Sequence, residues 1–160
     1  RLRLVGFIRK KKGCKSMEAE INTHQNTHTY LQFYLGKKLY AIDIKFVTEI
    51  IEIQPVTEVP DMPPHVNGVI NLRGRVITLV DICQKLKVQK DEEERGCIVI
   101  VNIQTKKYGL LVDNVRAVVG INKQDIEVPS GMRSTEDAKA IGTAKVEGKL
   151  CILLSAEKLV

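Results

Sequence analysis

The sequence predicts an all-β protein built from two small barrels of about five strands each. Two observations carry this. Short segments of alternating or β-branched apolar residues follow one another along the chain, separated by turns and loops that contain Gly or Pro. The chain also repeats itself. Tyr40–Val47 aligns without gaps on Tyr108–Val115, and Gly68–Asp81 on Gly142–Ser155, at offsets of 68 and 74 residues. A half of ~65 residues has a thin core alone, so two such halves gain by packing around a common interior. The seam between them makes a groove, a common place for binding.

The elements follow in order. Residues 17–28 are polar and predict disorder, so residues 1–28 form a tail. Tyr30–Leu35 alternates: Leu31, Phe33 and Leu35 share one face, Tyr30, Gln32 and Tyr34 the other. Gly36-Lys37-Lys38 turns the chain into Leu39–Ile44. Val47–Ile53 is β-branched and predicts a third strand. Pro55, Pro60, Pro63 and Pro64 enforce an extended loop. Gly68–Leu72 and Arg75–Val80 flank Arg73-Gly74, the mark of a hairpin. Asp81 can cap a short helix over Ile82–Leu86, and Asp91–Glu94 is a solvated acidic loop. The rhythm returns in Cys97–Ile103, Tyr108–Val112, Ala117–Ile121, a loop with Pro129 and Gly131, Ile141–Val146 and Leu150–Leu154, with a short helix at the C-terminus. The expected barrel halves span about 36–90 and 96–160. Their cores should draw on Leu31, Phe33, Ile42, Ile44, Ile70, Ile77, Leu79, Ile98, Ile100, Leu110, Val112, Ile152 and Leu154.

Composition narrows the function. At 160 residues and 44% hydrophobic the chain can bury a core, and no apolar run approaches a membrane span. The net charge of +6 is unevenly placed. Residues 1–16 hold seven Lys or Arg and no acid, whereas from Met17 onward there are 18 basic and 19 acidic residues. The first 16 residues lack the order of a signal peptide. They read as vector-derived or upstream sequence ahead of a start at Met17, as a native disordered tail, or as a basic membrane or nucleic-acid patch. Cys83, Cys97 and Cys151 sit in apolar contexts and Cys14 in the tail, without metal-ligand spacing; they suit a reducing cytosol.

Catalytic chemistry is not legible. His24 and His28 lie in the polar tail and His65 in the proline-rich loop. No GxSxG, Walker A, GxGxxG or HExxH motif is present. Asp43, Asp81 and Asp113 fall at strand ends, where capping and turn roles suffice. The sequence therefore predicts no enzyme, no cofactor and no metal. With no Trp and seven Phe plus Tyr, a stacking platform for single-stranded nucleic acid is also not expected.

The most distinctive segment is Gly68-Val-Ile-Asn-Leu-Arg-Gly74-Arg-Val-Ile-Thr-Leu-Val-Asp81. Physically it is a hairpin with glycines where the backbone needs positive φ or close approach, and with Arg73 free to meet a carboxylate. The segment resembles the hallmark motif of CheW-like domains. Phe33–Gly36, Tyr40–Ile50, Ile98–Asn102, Gly109–Val115 and Ile141-Gly142 extend the resemblance, in order, from about Thr29 to Val160. Thr78 departs from the pattern, where the family usually has proline, and Cys83 stands where a charged residue is common.

The resemblance implies two SH3-like barrels and a non-enzymatic chemotaxis adaptor. Its expected partners are the regulatory domain of the histidine kinase CheA and the cytoplasmic tip of methyl-accepting chemoreceptors, in the cytoplasm at receptor arrays on the inner membrane. Matched residue by residue, the receptor groove would involve Val47, Glu49, Gly68, Asn71, Leu72, Arg73, Gly74, Ile98, Gly109, Val115 and Val118. The kinase would meet Ile50, Ile51, Ile53 and Val56. Glu49 is the expected acceptor for Arg73. Two alternatives stay open: a regulatory domain excised from a CheA- or CheV-type protein, and a small β-barrel nucleic-acid binder using residues 1–16.

Overall fold

Ten β-strands dominate residues 27–130 and 139–160, the parts of the chain that the computed structural model describes. They are β1 (Thr27–Leu35), β2 (Lys38–Asp43), β3 (Val47–Ile51), β4 (Val66–Leu72), β5 (Arg75–Asp81), β6 (Cys97–Ile103), β7 (Lys106–Val112), β8 (Asn114–Asn122), β9 (Ala140–Val146) and β10 (Lys149–Leu154). Helix α1 (Ile82–Leu86) starts on Asp81, whose carboxylate accepts the Gln84 N–H at 3.3 Å, and α2 (Ala156–Leu159) lies near the C-terminus. Residues 1–26, with the basic stretch and most of the polar lead-in, lie outside the described residues. Thr27 and His28 belong to β1, so the strand begins earlier than expected, and β3 ends at Ile51 rather than Ile53.

The strands form two five-stranded sheets, ordered β8-β1-β2-β10-β9 and β3-β6-β7-β5-β4. Neighbours are antiparallel except β2 with β10 and β5 with β7. The orders are equivalent strand by strand: β1–β5 of the first repeat correspond to β6–β10 of the second. The expected division at 36–90 and 96–160 is corrected here, because neither sheet belongs to one half of the chain. The first sheet takes β1 and β2 from the first repeat and β8–β10 from the second; the other takes β3–β5 and then β6–β7. The reason is local. A 3-10 turn over Ile44–Phe46, capped by Asp43 accepting the Lys45 N–H, carries β3 off the first sheet and onto β6. The equivalent passage from β7 to β8 returns the chain to β1.

Three apolar clusters result. The shared core between the sheets holds Leu31, Phe33, Leu35, Ile42, Val99, Val101, Leu110, Val112 and Leu154, closed by Ile82 and Leu159 of the helices. The interior of the first sheet holds Tyr30, Leu39, Val119, Cys151 and Leu153. The second holds Ile70, Ile77, Leu79, Ile98, Ile100 and Leu111. The alternation in β1 therefore has two buried destinations, the shared core and a barrel interior, as for strands covered on both faces. Of the expected core residues, only Ile44 and Ile152 are partly exposed, at the rim of the shared core.

Each sheet is drawn round by its edges. In the second, Thr57 and Val69 exchange two backbone hydrogen bonds of 2.8 Å, joining the chain beyond β3 to β4. In the first, Glu127 and Thr143 do the same at 2.7 Å, joining the chain beyond β8 to β9. Gly68 permits the first closure: at φ +141°, an added Cβ would lie 2.2 Å from the Thr57 carbonyl oxygen. Gly142 is its counterpart, with the Ile126 side chain 2.8 Å from the corresponding point.

Candidate functional site

The β4–β5 turn is two residues long, and both need left-handed backbone. Arg73 has φ +51° and Gly74 φ +82°. Such a turn matches the twist of a hairpin. Asn71 supports it by accepting the Gly74 N–H on its side-chain oxygen at 3.0 Å. The turn sends the Arg73 side chain across the sheet to β3, where both terminal nitrogens meet Glu49: Nη1 to Oε1 at 2.7 Å and Nη2 to Oε2 at 2.9 Å. This is the fork-to-fork geometry that fixes orientation as well as charge. Donating these hydrogen bonds to Glu49 raises the guanidinium's pKa above its ordinary value. Because β3 and β4 are the two edges of this sheet, the ion pair and the Thr57–Val69 bridge both close it. The Glu49 side chain is 10% exposed and that of Arg73 55%. One partner is thus an anchor, and the other is half available to a ligand.

The expected groove residues divide by burial. Asn71, Arg73 and Gly74 are exposed, and Val47 and Leu72 half-buried. Val47 packs at the rim of the shared core and Leu72 against the second sheet's interior. Gly68 and Gly109 are buried, and Ile98, Val115 and Val118 are core residues at 0–3% exposure. They support the wall from inside. Gly109 lets the interior close, since an added Cβ would lie 2.9 Å from Ile98 Cγ2. Ile50 is buried in the shared core and Ile51 half-buried. Ile53 and Val56 are exposed, at 46% and 37%.

A second closure of the same kind had no counterpart in the sequence reading. Arg116 donates to Glu147 Oε2 at 2.6 Å and to the buried Gln32 Oε1 at 2.6 Å. Glu147, at φ +52°, occupies in the β9–β10 turn the place that Arg73 holds in β4–β5. Arg116 fills a bulge in β8, where Gln32 pairs with Ala117 and Phe33 with Val115; Thr48 fills the same bulge in β3. The cation and the carboxylate have exchanged strands between repeats. The gapless alignment of Gly68–Asp81 with Gly142–Ser155 already sets Arg73 against Glu147, and the opposite charge there was the available signal.

The other polar side chains are structural. Asp113, 3% exposed, accepts the Gly36 N–H at 2.6 Å and the Asp91 N–H at 2.9 Å, tying the β1–β2 turn to the connector after α1. His65 lies 3.4 Å from the Lys85 ammonium, and burial and then that charge lower its pKa. Burial pushes the Cys83 thiol up to about 12 and Cys151 to about 11, leaving both protonated and inert at neutral pH. Among the described residues no group of three His, Cys, Asp or Glu is placed to hold a metal ion.

Comparison with known proteins gives one consistent answer. The family model described as CheW-like domain matches residues 29–160. "Chemotaxis protein CheW" of Thermotoga maritima is 30% identical over 130 residues, 81% of this chain and 85% of that protein. "Chemotaxis protein CheW" of Bacillus subtilis is 30% identical over 142 residues, 88% of this chain and 89% of that protein. A solved structure, the scaffolding protein TtCheW from Thermoanaerobacter tengcongensis, superposes with a TM-score of 0.71 at 32% identity, covering 79% of this chain and 88% of that one.

Proposed function

This chain belongs to the CheW-like domain family, and on that premise we propose that it is a non-enzymatic scaffold that couples chemoreceptors to the histidine kinase CheA. The observation that carries the proposal is the Arg73–Glu49 closure. It fixes the β4–β5 turn against β3 without consuming the exposed side of the arginine. Asn71, Leu72, Arg73, Gly74 and the nearby Val47 then form a preset wall of mixed apolar and polar character. Such a wall suits a receptor helix, which presents apolar side chains at i, i+3, i+4 and i+7. Ile53 and Val56, on the loop after β3, supply a separate apolar surface for the regulatory domain of the kinase. Two partners can then bind at once, as coupling requires.

The protein works in the cytoplasm beside receptor arrays at the inner membrane. Among the described residues no helix is long and apolar enough to cross a membrane. The test is a pair of titrations with a receptor cytoplasmic fragment and with the CheA regulatory domain. Arg73→Ala should weaken receptor binding and largely spare kinase binding, whereas Ile53→Asp with Val56→Asp should do the reverse. Equal loss of both partners in each variant would contradict two separate surfaces.

A further inference from the structure

One end of the second sheet collects cations on both of its faces, with an exposed apolar side chain beside Lys106 on one of them. β5 and β7 run parallel and start at the same end, where β6 finishes. Their first residues, Arg75-Val76 and Lys106-Lys107, are all exposed. Lys158 of α2 borders the same end, where α2 and the β6–β7 turn enclose a shallow depression lined by Thr105, Lys106, Tyr108, Lys158 and Val160. None of Arg75, Lys106, Lys107 and Lys158 has an ion-pair partner among the described residues. Val76 is 72% exposed, the highest value among the exposed large apolar side chains of the described residues. The chain from Met17 onward carries nearly balanced charge, so this is a local segregation of positive charge. Clustered cations repel one another and return nothing to the fold.

We propose that this end of the second sheet is a docking surface for an acidic, amphipathic segment of a protein partner. On one face of the sheet's end a carboxylate of the segment meets Lys106 and an apolar side chain covers Val76, while Arg75 and Lys107, on the opposite face, add to the positive field. The surface adjoins the receptor-facing turn, since Val76 pairs with Asn71 and Arg75 with Leu72, but it uses different residues. A nucleic-acid backbone fits it less well. Val76 offers a phosphate nothing, whereas an apolar side chain of a peptide can cover it. Charge complementarity of this kind sets specificity and association rate more than raw affinity.

The test follows the amide spectrum of the isotopically labelled full chain during titration. The probe is a synthetic helical peptide with Glu and Leu on adjacent faces; controls are the same peptide with Gln for Glu, a short DNA duplex, and phosphatidylserine vesicles. The Glu peptide should shift residues around Val76 and Lys106, bind more weakly as salt rises, and lose about tenfold or more in affinity with Lys106→Glu/Lys107→Glu. Arg75→Gln, a milder change at an exposed site, should weaken it several-fold, and Lys123→Gln, at an exposed site beyond β8, should leave it unchanged. Equal binding of the Gln peptide, tighter binding of duplex or vesicles, or shifts elsewhere on the chain would each overturn the proposal.

Discussion

At the scale of the residue, local chemistry decides what Gly68, Gly74, the Arg73–Glu49 pair and Cys83 each tolerate. Gly68 was legible as a position needing freedom, but not why; the structure supplies the Thr57 carbonyl 2.2 Å from any added Cβ. Gly68→Ala should therefore destabilise the protein by roughly 2 kcal/mol or more, because backbone must move. Gly74→Ala, with open space around it but φ +82°, should cost only about 1 kcal/mol of backbone strain. Chemical denaturation of the two variants checks the order. The Arg73–Glu49 contact was legible, since the turn frees the arginine and Glu49 is the nearest family-matched carboxylate. Its half-exposed arginine gives the pair little weight in stability, so Glu49→Ala and Arg73→Ala should leave the fold intact and weaken receptor-fragment binding non-additively in a double-mutant cycle. Cys83 adds a pH dependence. Its thiol ionises at an ordinary pKa of 9.0 when unfolded and about 12 when folded. The unfolded chain thus loses its proton first, and stability falls as pH rises from about 9 toward 12. Cys83→Ala should flatten that fall in denaturation curves measured across the same range.

At the scale of the element, Asp81 before Ile82 announced α1, and the β4–β5 hairpin declared itself through Arg73-Gly74. The connector between the repeats was not legible beyond its acidity. Its position depends on Asp113, seventeen residues past Gly96, accepting N–H groups from Gly36 and Asp91. Such a contact leaves no periodic trace in sequence. Asp113→Ala strands both donors, and losing two hydrogen bonds to a buried carboxylate should cost about 2–4 kcal/mol, with hydrogen exchange accelerating first at Gly36 and Asp91. Asp113→Asn, which keeps an acceptor oxygen, should cost less. The second closure, Arg116–Glu147, was missed because only the exchanged charge betrays it, and a charge difference between aligned residues has many ordinary causes.

At the scale of the whole molecule, the duplication was legible and its pairing was not. Alignment shows which segments are equivalent; it does not say which copy each strand pairs with, and here β3 pairs across to β6 rather than back to β1. The consequence is testable. Neither half of the chain holds a complete sheet, so residues 17–90 and 91–160 expressed separately should each remain unfolded, and mixing them should restore the β-sheet spectrum. The proposed scaffold role requires two separate outer surfaces on the interleaved barrels. That is the central claim, and a ternary binding measurement tests it most directly: the full chain held at saturation with the CheA regulatory domain and then titrated with a receptor cytoplasmic fragment, with mass measured at each step. A complex containing all three proteins, with receptor affinity reduced by Arg73→Ala while the kinase remains bound, is the predicted result; displacement of the kinase by the receptor fragment, or no binding of either, would contradict it.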